Sequence, residues 1–383
     1  MSKRVVVGMS GGVDSSVTAA ILKEQGYEVI GLFMKNWEEL DDSGVCQAAK
    51  DYEDVIKVCE KIDIPYYSVE FINQYRGEVF AHFLAELKLG RTPNPDVLCN
   101  REIKFKVFFD EVKKLGADFL ATGHYCQTVD TVHGKALAKG FDNNKDQSYF
   151  LHAIDGSVLE KVLFPIGDLP KPTVREIAAK YDLATKNKKD STGICFIGER
   201  NFGKFLGQFI QYQKGLMKTL SGTIVGEHTG VAFYTLGQRK GLGLGGQGEP
   251  WFVVGKDLAK NELYVERGEF HPALYSRGLK ASGLTLIHSQ IDITNRPLMA
   301  KIRYRQADQA CIVTKDSKGD LLVHFSRPQR AVTPGQSVVF YDGNICLGGA
   351  VIDDVIDNLF THPHSHNQFL LASQTDQTSS PSL

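Results

Sequence analysis

The sequence predicts an α/β protein: a doubly wound parallel sheet, followed by a small central domain and a C-terminal antiparallel β-barrel. Three observations carry this. Over roughly the first 120 residues, short apolar runs alternate with helix-length segments, which implies βαβ units and a parallel sheet. Beyond about residue 213, short strand-like runs in glycine-rich sequence replace that alternation. From about residue 281, segments alternate apolar and polar positions, as half-buried antiparallel strands do.

Taken in order, the first domain reads as a strand at Arg4 to Met9, a helix from Val13 to Gln25, a strand at Tyr27 to Met34 and a helix near Gln47 to Lys61. A strand at Tyr66 to Glu70, helices at Asn73 to Leu89 and Glu102 to Leu115, and a strand at Asp118 to Thr122 follow. In such sheets ligands sit at the carboxyl ends of the strands, where the loop after Met9, Met34 and Gly123-His124 fall. Residues 125 to 200 are mixed, with polar loops at Asp142 to Gln147 and Lys186 to Ser191. Between those loops lies a helix, Thr173 to Tyr181, with a capping box at Thr173 and Glu176.

Phe202 to Gln213 reads as a further helix, and Gly222 to Gly230, Trp251 to Gly255 and Glu262 to Arg267 as short strands. Lys301 to Arg305, Ala310 to Thr314, Leu321 to Phe325, Ser337 to Tyr341 and Ile345 to Ile352 then suggest an antiparallel barrel or sandwich. These segments set domains at 1–200, 201–280 and 281–358. The Ser-, Gln-, Thr- and His-rich stretch 359–383 is expected to be a disordered tail, with metal binding by His362, His364 and His366 the lesser reading.

Composition narrows the class. A 383-residue chain with 42% hydrophobic and 23% charged residues is that of a soluble globular protein with more than one core. No apolar run approaches the roughly 20 residues of a membrane span, and no signal-peptide pattern opens the chain, so the expected location is the cytoplasm. The 44 Lys and Arg nearly balance the 45 Asp and Glu, so polyanion binding has to come from local patches. Seven cysteines without a CxxC argue against a disulfide framework and a tetrathiolate zinc site.

The stretch Gly8-Met9-Ser10-Gly11-Gly12-Val13-Asp14-Ser15-Ser16 joins a strand to a helix. Paired glycines there leave several backbone N–H groups pointing one way, backed by the positive end of the helix dipole, which makes an anion seat. Its serines can add hydroxyl donors, and Asp14 is placed to hold a metal ion against phosphate oxygens. The lysine of a GxxxxGK(S/T) loop is missing, which disfavours a mononucleotide P-loop. The S-G-G-x-D-S pattern resembles instead the pyrophosphate loop of the ATP-pyrophosphatase superfamily, whose members adenylate a carbonyl-type oxygen and release pyrophosphate.

Two cysteines stand out. In Gly90 to Asn100, two prolines rigidify the approach, and Asp96 and Cys99 lie three apart just before a helix expected near Arg101. A helix N-terminus stabilises a thiolate, and Asp96 can move a proton at the same centre. Cys195 lies among Gly193, Gly198, Lys186, Lys188, Lys189 and Arg200, a setting that also favours a thiolate. For each, a packing thiol is the competing reading, and Cys46, Cys59, Cys126, Cys311 and Cys346 are read as packing outright.

The motifs G-M-S-G-G-V-D-S-S, T-P-N-P-D-V-L-C-N (92–100), A-T-G-H-Y (121–125), D-Q-S-Y-F-L (146–151), S-T-G-I-C-F-I-G (191–198), L-G-Q-R-K-G-L (236–242) and T-P-G-Q-S (333–337) occur in one order. In that combination the chain resembles the bacterial tRNA-specific 2-thiouridylases over residues 4 to 355. The resemblance implies an adenine nucleotide alpha hydrolase-like sheet and ATP-dependent replacement of the wobble uridine's 2-oxygen by sulfur.

It implies ATP at Gly8, Met9, Ser10, Gly11, Gly12, Val13, Asp14 and Ser15, with Met34 against the adenine, Gly123 on the nucleotide and Mg²⁺ carried with ATP. It makes Cys195 a persulfide charged by an upstream sulfur-donor protein, Cys99 the nucleophile that assists sulfur release, and Asp96 part of the catalytic set. It assigns Asn94, Pro95 and Asp96 to the target base, and His124, Lys145, Asp146, Gln147, Arg303, Tyr304 and Gln336 to tRNA. Arg303, Tyr304 and Arg305 also put guanidinium groups beside an aromatic ring, which suits phosphates and unstacked bases, although a solvated barrel face is the plainer reading. Two rivals remain at this point: another adenylating enzyme that transfers nitrogen, and a non-catalytic RNA-binding protein.

Overall fold

A computed structural model describes residues 2–38, 44, 46–190, 202–210 and 212–358. Cys195 and the stretch 359–383, with His362, His364 and His366, lie outside the described residues.

The first strand, β1 (Arg4–Met9), is apolar at successive positions because both its faces are covered. Its Val5 and Val7 pack with Val17 and Leu22 of α1 (Val13–Glu24) and with Val55 and Val58 of α2 (Gln47–Ile62). The intervening Val6 faces the opposite layer, with Phe83, Ile103 and Phe108. With β2 (Glu28–Lys35), β3 (Tyr66–Glu70), β4 (Phe119–Ala121) and a two-residue strand at Val162–Leu163, it forms an all-parallel sheet. The strand order is β3-β2-β1-β4 with Val162–Leu163 outermost. Successive connections leave in opposite directions between β1 and β4, which is where such sheets hold ligands.

Two helical boundaries differ from the sequence reading. The segment expected to become helical near Arg101 does so from Pro95, running through Pro95–Leu98, a π-helical stretch Cys99–Val107 and Phe108–Lys114. Asn94 accounts for the early start: its side chain accepts the Asp96 N–H at 3.1 Å, and Pro95 supplies a first-turn φ with no N–H to satisfy. The helix expected from Thr173 begins at Lys171, following Pro170, so Thr173 sits inside it and no capping box forms.

A hairpin unforeseen in the sequence, β5 (Cys126–Thr131) and β6 (Gly134–Lys139), leaves the first domain and joins the third. The barrel strands are Tyr275–Leu286, Pro297–Lys301, Gln309–Lys315, Leu321–Arg330, Ser337–Asp342 and Ile345–Asn358. Pairing of the first with the last closes the barrel, and Ala138 of β6 pairs with Ile345 on its outside. The strand expected at Lys301 to Arg305 ends at Lys301, and Arg305 turns the chain at φ 64°. The central domain has strands Gly215–Lys218, Ile224–His228, Trp251–Asp257 and Glu262–Arg267 around Met217, Val253, Leu263 and Val265. Its expected helix at Phe202 to Gln213 is described only as Phe202–Leu206.

The seam between first domain and barrel contains a buried imidazole. His152 donates from Nδ1 to the Tyr149 carbonyl at 2.9 Å, and its ring lies so close to Gly349 of the last barrel strand that a Cβ there would overlap it. Burial lowers its pKa from 6.5 to about 4. Because the folded value is depressed, the contribution of neutral His152 is complete above pH 6.5 and is lost as pH falls through 4, amounting to about 3 kcal/mol. Denaturant midpoints at pH 7 and pH 4.5 should therefore separate more for the native chain than for His152→Gln. Equal separations would show that His152 does not govern the acid response.

Candidate active site

The loop after β1 is a tight glycine turn in which serine hydroxyls take up the Ser10 and Gly12 amides. Gly11 has φ +72°, and a Cβ there would stand 2.5 Å from the Asp51 carbonyl oxygen, so conformation and space both require glycine. Gly12 caps α1 in an extended conformation, with Asp14 in the first turn. Of the three serines expected to offer hydroxyls, Ser15 accepts the Ser10 N–H at 3.1 Å, and Ser16 donates to the Gly12 carbonyl at 2.8 Å. Those two hydroxyls brace the turn, and Ser10 is the exposed member. Gly123 closes the loop from β4: a Cβ on it would lie 2.7 Å from the Ser15 nitrogen and 2.8 Å from the Asp14 carbonyl carbon.

Asp14 is the hub of a charge cluster. Its Oδ1 accepts the Tyr125 hydroxyl at 2.8 Å and the Lys171 ammonium at 2.7 Å. Lys171 also reaches Asp190 at 2.9 Å, and Asp190 further binds Lys145 at 2.6 Å and Arg175 at 2.9 Å. Burial alone would raise the Asp190 pKa, but the hydrogen bonds from Lys145 and Lys171 outweigh it and hold the carboxyl at about 2. Burial, with the charge of Asp14 next, pushes the Tyr125 phenol up, so it remains a donor. Lys145, Lys171 and Arg175 thus meet Asp14 and Asp190, with a third carboxylate, Asp142, accepting the Lys171 backbone N–H at 3.2 Å.

In this arrangement the Lys171 ammonium lies on Asp14, the carboxylate expected to hold a metal ion against phosphate oxygens. No group of three or more His, Cys, Asp or Glu side chains among the described residues is placed to hold a metal ion.

The thiol half of the site lies on the helix that begins at Pro95. Cys99 is fully buried, in the layer that also holds Met34 at the end of β2. As the fifth residue of its helix, and not the residue before a helix start, it lies at the limit of the dipole's reach. The helix dipole therefore favours a thiolate there only weakly. The approach to that helix is fixed by the barrel: Thr92 N–H donates to the Pro334 carbonyl at 2.9 Å, and Gln336 Nε2 to the Thr92 carbonyl at 2.6 Å.

Of the other residues assigned to tRNA, Asp146, Arg303, Tyr304 and Gln336 make contacts between domains, whereas His124 and Gln147 pack within the first. His124 is 9% exposed, between the rings of Phe105 and Phe164, and burial followed by the nearby Lys104 charge holds its pKa well below the usual imidazole value. It is therefore neutral. Asp146 pairs with Lys301 at 3.0 Å and accepts the Gly140 and Ser148 N–H groups, while Gln147 Oε1 accepts the Tyr125 N–H. Arg303 does not extend into solvent on a strand; it donates to the Leu236 and Ala331 carbonyls and to Thr333 Oγ1, tying the central domain to the barrel. Tyr304 packs on Phe150 with ring centroids 4.5 Å apart.

Known proteins match this architecture along its length. Family models described as the tRNA methyl transferase HUP domain, the tRNA methyl transferase PRC-barrel domain and the aminomethyltransferase beta-barrel domain match residues 3–199, 203–267 and 276–352. The tRNA-specific 2-thiouridylase MnmA of Protochlamydia amoebophila is 58% identical over 351 residues, spanning 91% of this chain and 93% of its own. The chain belongs to the tRNA-specific 2-thiouridylase family. Staphylococcus carnosus MnmA is likewise 58% identical, over 92% of this chain and 95% of its own. Among solved structures, the U34-tRNA thiolase NcsA of Methanococcus maripaludis is 21% identical over 51% of this chain and 62% of that one, at a TM-score of 0.34.

Within this family member, Lys171, Arg175 and Tyr125 are site residues that sequence reasoning missed. Tyr125 closes the A-T-G-H-Y motif, and Lys171 directly follows Pro170 at a helix start; Arg175 offered no signal. Nothing in spacing ties residue 171 to residue 14. Buried Cys59 and Cys346 have their pKa values raised by desolvation to about 12, as packing thiols should.

Proposed function

We propose that the chain is a tRNA-uridine 2-sulfurtransferase: it uses ATP to adenylate the C2 oxygen of the wobble uridine and replaces that oxygen with sulfur from a cysteine persulfide. The full-length match to relatives named tRNA-specific 2-thiouridylase carries this reading. The site supplies suitable parts. The loop amides Gly8 to Ser15 hold the triphosphate, Lys171 offsets its charge, Met34 flanks the adenine, and Gly123 keeps the nucleotide's floor free of side chains. Mg²⁺ arrives as the counter-ion of ATP.

Adenylation makes a poor leaving group leave as AMP. Cys195, charged as a persulfide by an upstream sulfur-carrying protein, presents its terminal sulfur to C2. That sulfur forms the C–S bond as AMP departs. The Cys99 thiolate then attacks the Cys195 sulfur, the electrons of the broken S–S bond pass to the transferred sulfur, and a Cys99–Cys195 disulfide remains for a two-electron reductant to reopen. In the variant route, Cys99 releases hydrogen sulfide before C2 is attacked. Asp96 positions the base or moves a proton at this centre, with Asn94 and Pro95 beside it.

The proposed tRNA contacts are His124, Lys145, Asp146, Gln147, Arg303, Tyr304 and Gln336. The target base has to leave its stack to reach the sheet end. No helix among the described residues is long and apolar enough to cross a membrane. We place the activity in the cytoplasm, with tRNA.

Mass spectrometry of the wobble nucleoside, after incubation of tRNA with ATP, Mg²⁺ and a persulfide source, should show one oxygen replaced by sulfur. Unchanged uridine would sink the reading. Cys195→Ser and Cys99→Ser should each keep ATP binding and lose thiolation. A serine variant that still thiolates would remove that cysteine from the relay. Pyrophosphate release that requires both tRNA and Asp14 excludes a non-catalytic RNA-binding protein.

A further inference from the structure

Two short stretches at the carboxyl end of the sheet hold buried polar atoms with no partner. Asn36, 1% exposed, follows the end of β2 two residues after Met34, and neither its amide oxygen nor its amide nitrogen has a hydrogen-bond partner. The adjoining Trp37, 3% exposed, has an unpartnered indole N–H. Its ring is fixed edge-on to Tyr75, Phe80 and Phe205, with the Arg76 guanidinium 5.3 Å from the ring centroid. On the helix carrying Cys99, Asn100 donates from Nδ2 to the Phe150 carbonyl at 3.2 Å and leaves Oδ1 unpartnered. Among the described residues, Asn36 is the one buried side-chain amide with both its oxygen and its nitrogen unmatched.

Buried polar groups are almost always paired, and a leucine has the same branched outline as asparagine, with bulkier ends, and no amide to desolvate. An amide kept there at the ligand end of an α/β sheet has the chemistry of a recognition group. It offers one N–H and one C=O side by side, the pair that matches one edge of a nucleobase: O4 and N3–H of a uracil, or N1 and the N6 amine of an adenine.

We propose that Asn36 binds a nucleobase edge in this site, an assignment that rests on the sulfurtransferase reading above. The two bases that reaction brings together, the adenine of ATP and the acceptor uracil, share the edge chemistry and are separated by experiment.

The test compares Asn36→Leu with the native chain, with Asn36→Ala measured alongside in case leucine does not fit. Thermal melting is read first: relieved of an unpaired amide, the leucine variant should melt at or above the native temperature. Calorimetry with ATP and with GTP forms the first arm. The second arm is tRNA binding without nucleotide and the steady-state thiolation rate at saturating ATP. A folded variant should lose about tenfold to a hundredfold in one arm. A loss in ATP affinity with a narrowed preference over GTP assigns the adenine. Unchanged ATP binding, with a loss in tRNA binding or turnover, assigns the uracil. Native values in both arms for folded variants overturn the proposal and leave Asn36 a water-filled structural position. Failure of the native chain itself to thiolate tRNA would instead refute the sulfurtransferase reading.

Discussion

Replacing Lys171 with methionine is expected to abolish ATP-dependent turnover while leaving the three domains folded. The ammonium sits between Asp14 at 2.7 Å and Asp190 at 2.9 Å, and its side chain is only 10% exposed. Methionine keeps much of the packing and removes the charge. Asp14 is then left with the Tyr125 hydroxyl, and Asp190 with Lys145 and Arg175. Breaking a fully buried pair costs about 3–5 kcal/mol; both carboxylates here are about one-third exposed, so water screens the change and roughly 2 kcal/mol is expected.

The functional loss should be larger than the stability loss. Triphosphate would meet a carboxylate pair without the cation between them, and removing one such group from a charge-developing site typically costs 10²–10³ in rate, roughly. Lys171→Arg should not rescue fully, because a planar guanidinium cannot replace a compact ammonium between two oxygens. Calorimetry with ATP and a pyrophosphate-release assay check this; native pyrophosphate release by a folded Lys171→Met would remove Lys171 from the site. Asp190's pKa is held at about 2, below its ordinary 3.8, so the network's stabilisation is complete above about pH 4 and fades as pH falls through 2. A melting temperature that varied with Asp190 titration near neutrality would contradict the pairing.

Gly123→Ala is expected to have the second-largest effect. Its Cβ would fall 2.7 Å from the Ser15 nitrogen and 2.8 Å from the Asp14 carbonyl carbon, backbone atoms that cannot swing away as a side chain can. Either β4 or the first turn of α1 must shift by several tenths of an ångström. A displacement of that kind at a phosphate-holding turn should reduce kcat/KM for ATP about a hundredfold, while overpacking costs roughly 1–3 kcal/mol of stability. Gly77→Ala, where a Cβ would meet nothing within 4 Å, is the matched control and should be close to neutral. Equal kinetics for the two alanine variants would show that the Gly123 contact does not position the loop.

Both experiments turn on features unequally legible in the chain. The glycine loop could be read directly because its function is local: a strand, two glycines and a helix start are consecutive, and their backbone conformations follow from residue type. The alternation of strands and helices likewise gave the parallel sheet before its order was visible. Local signals misled where a competing local preference won. Two prolines before Cys99 suggested a rigid approach to a helix starting near Arg101, yet Asn94 and Pro95 together start the helix earlier, which moves Cys99 a full turn inside it. At Thr173 and Glu176 the capping-box spacing was present, but the chain was already helical from Lys171.

Sequence by itself determined the glycine-rich strand-to-helix turn, the α/β-then-β order and the two thiols worth testing, because each is read from runs of neighbouring residues. Tertiary structure alone decided which charges meet. Residues 14, 145, 171, 175 and 190 converge only after the chain has crossed the sheet and returned, and the pairings of Gln336 with Thr92 and Arg303 with Leu236 exist only because the barrel packs against the other two domains. Contacts so distant along the chain leave no periodicity and no fixed spacing. Their energies come from desolvation and charge proximity, which arise when the domains close.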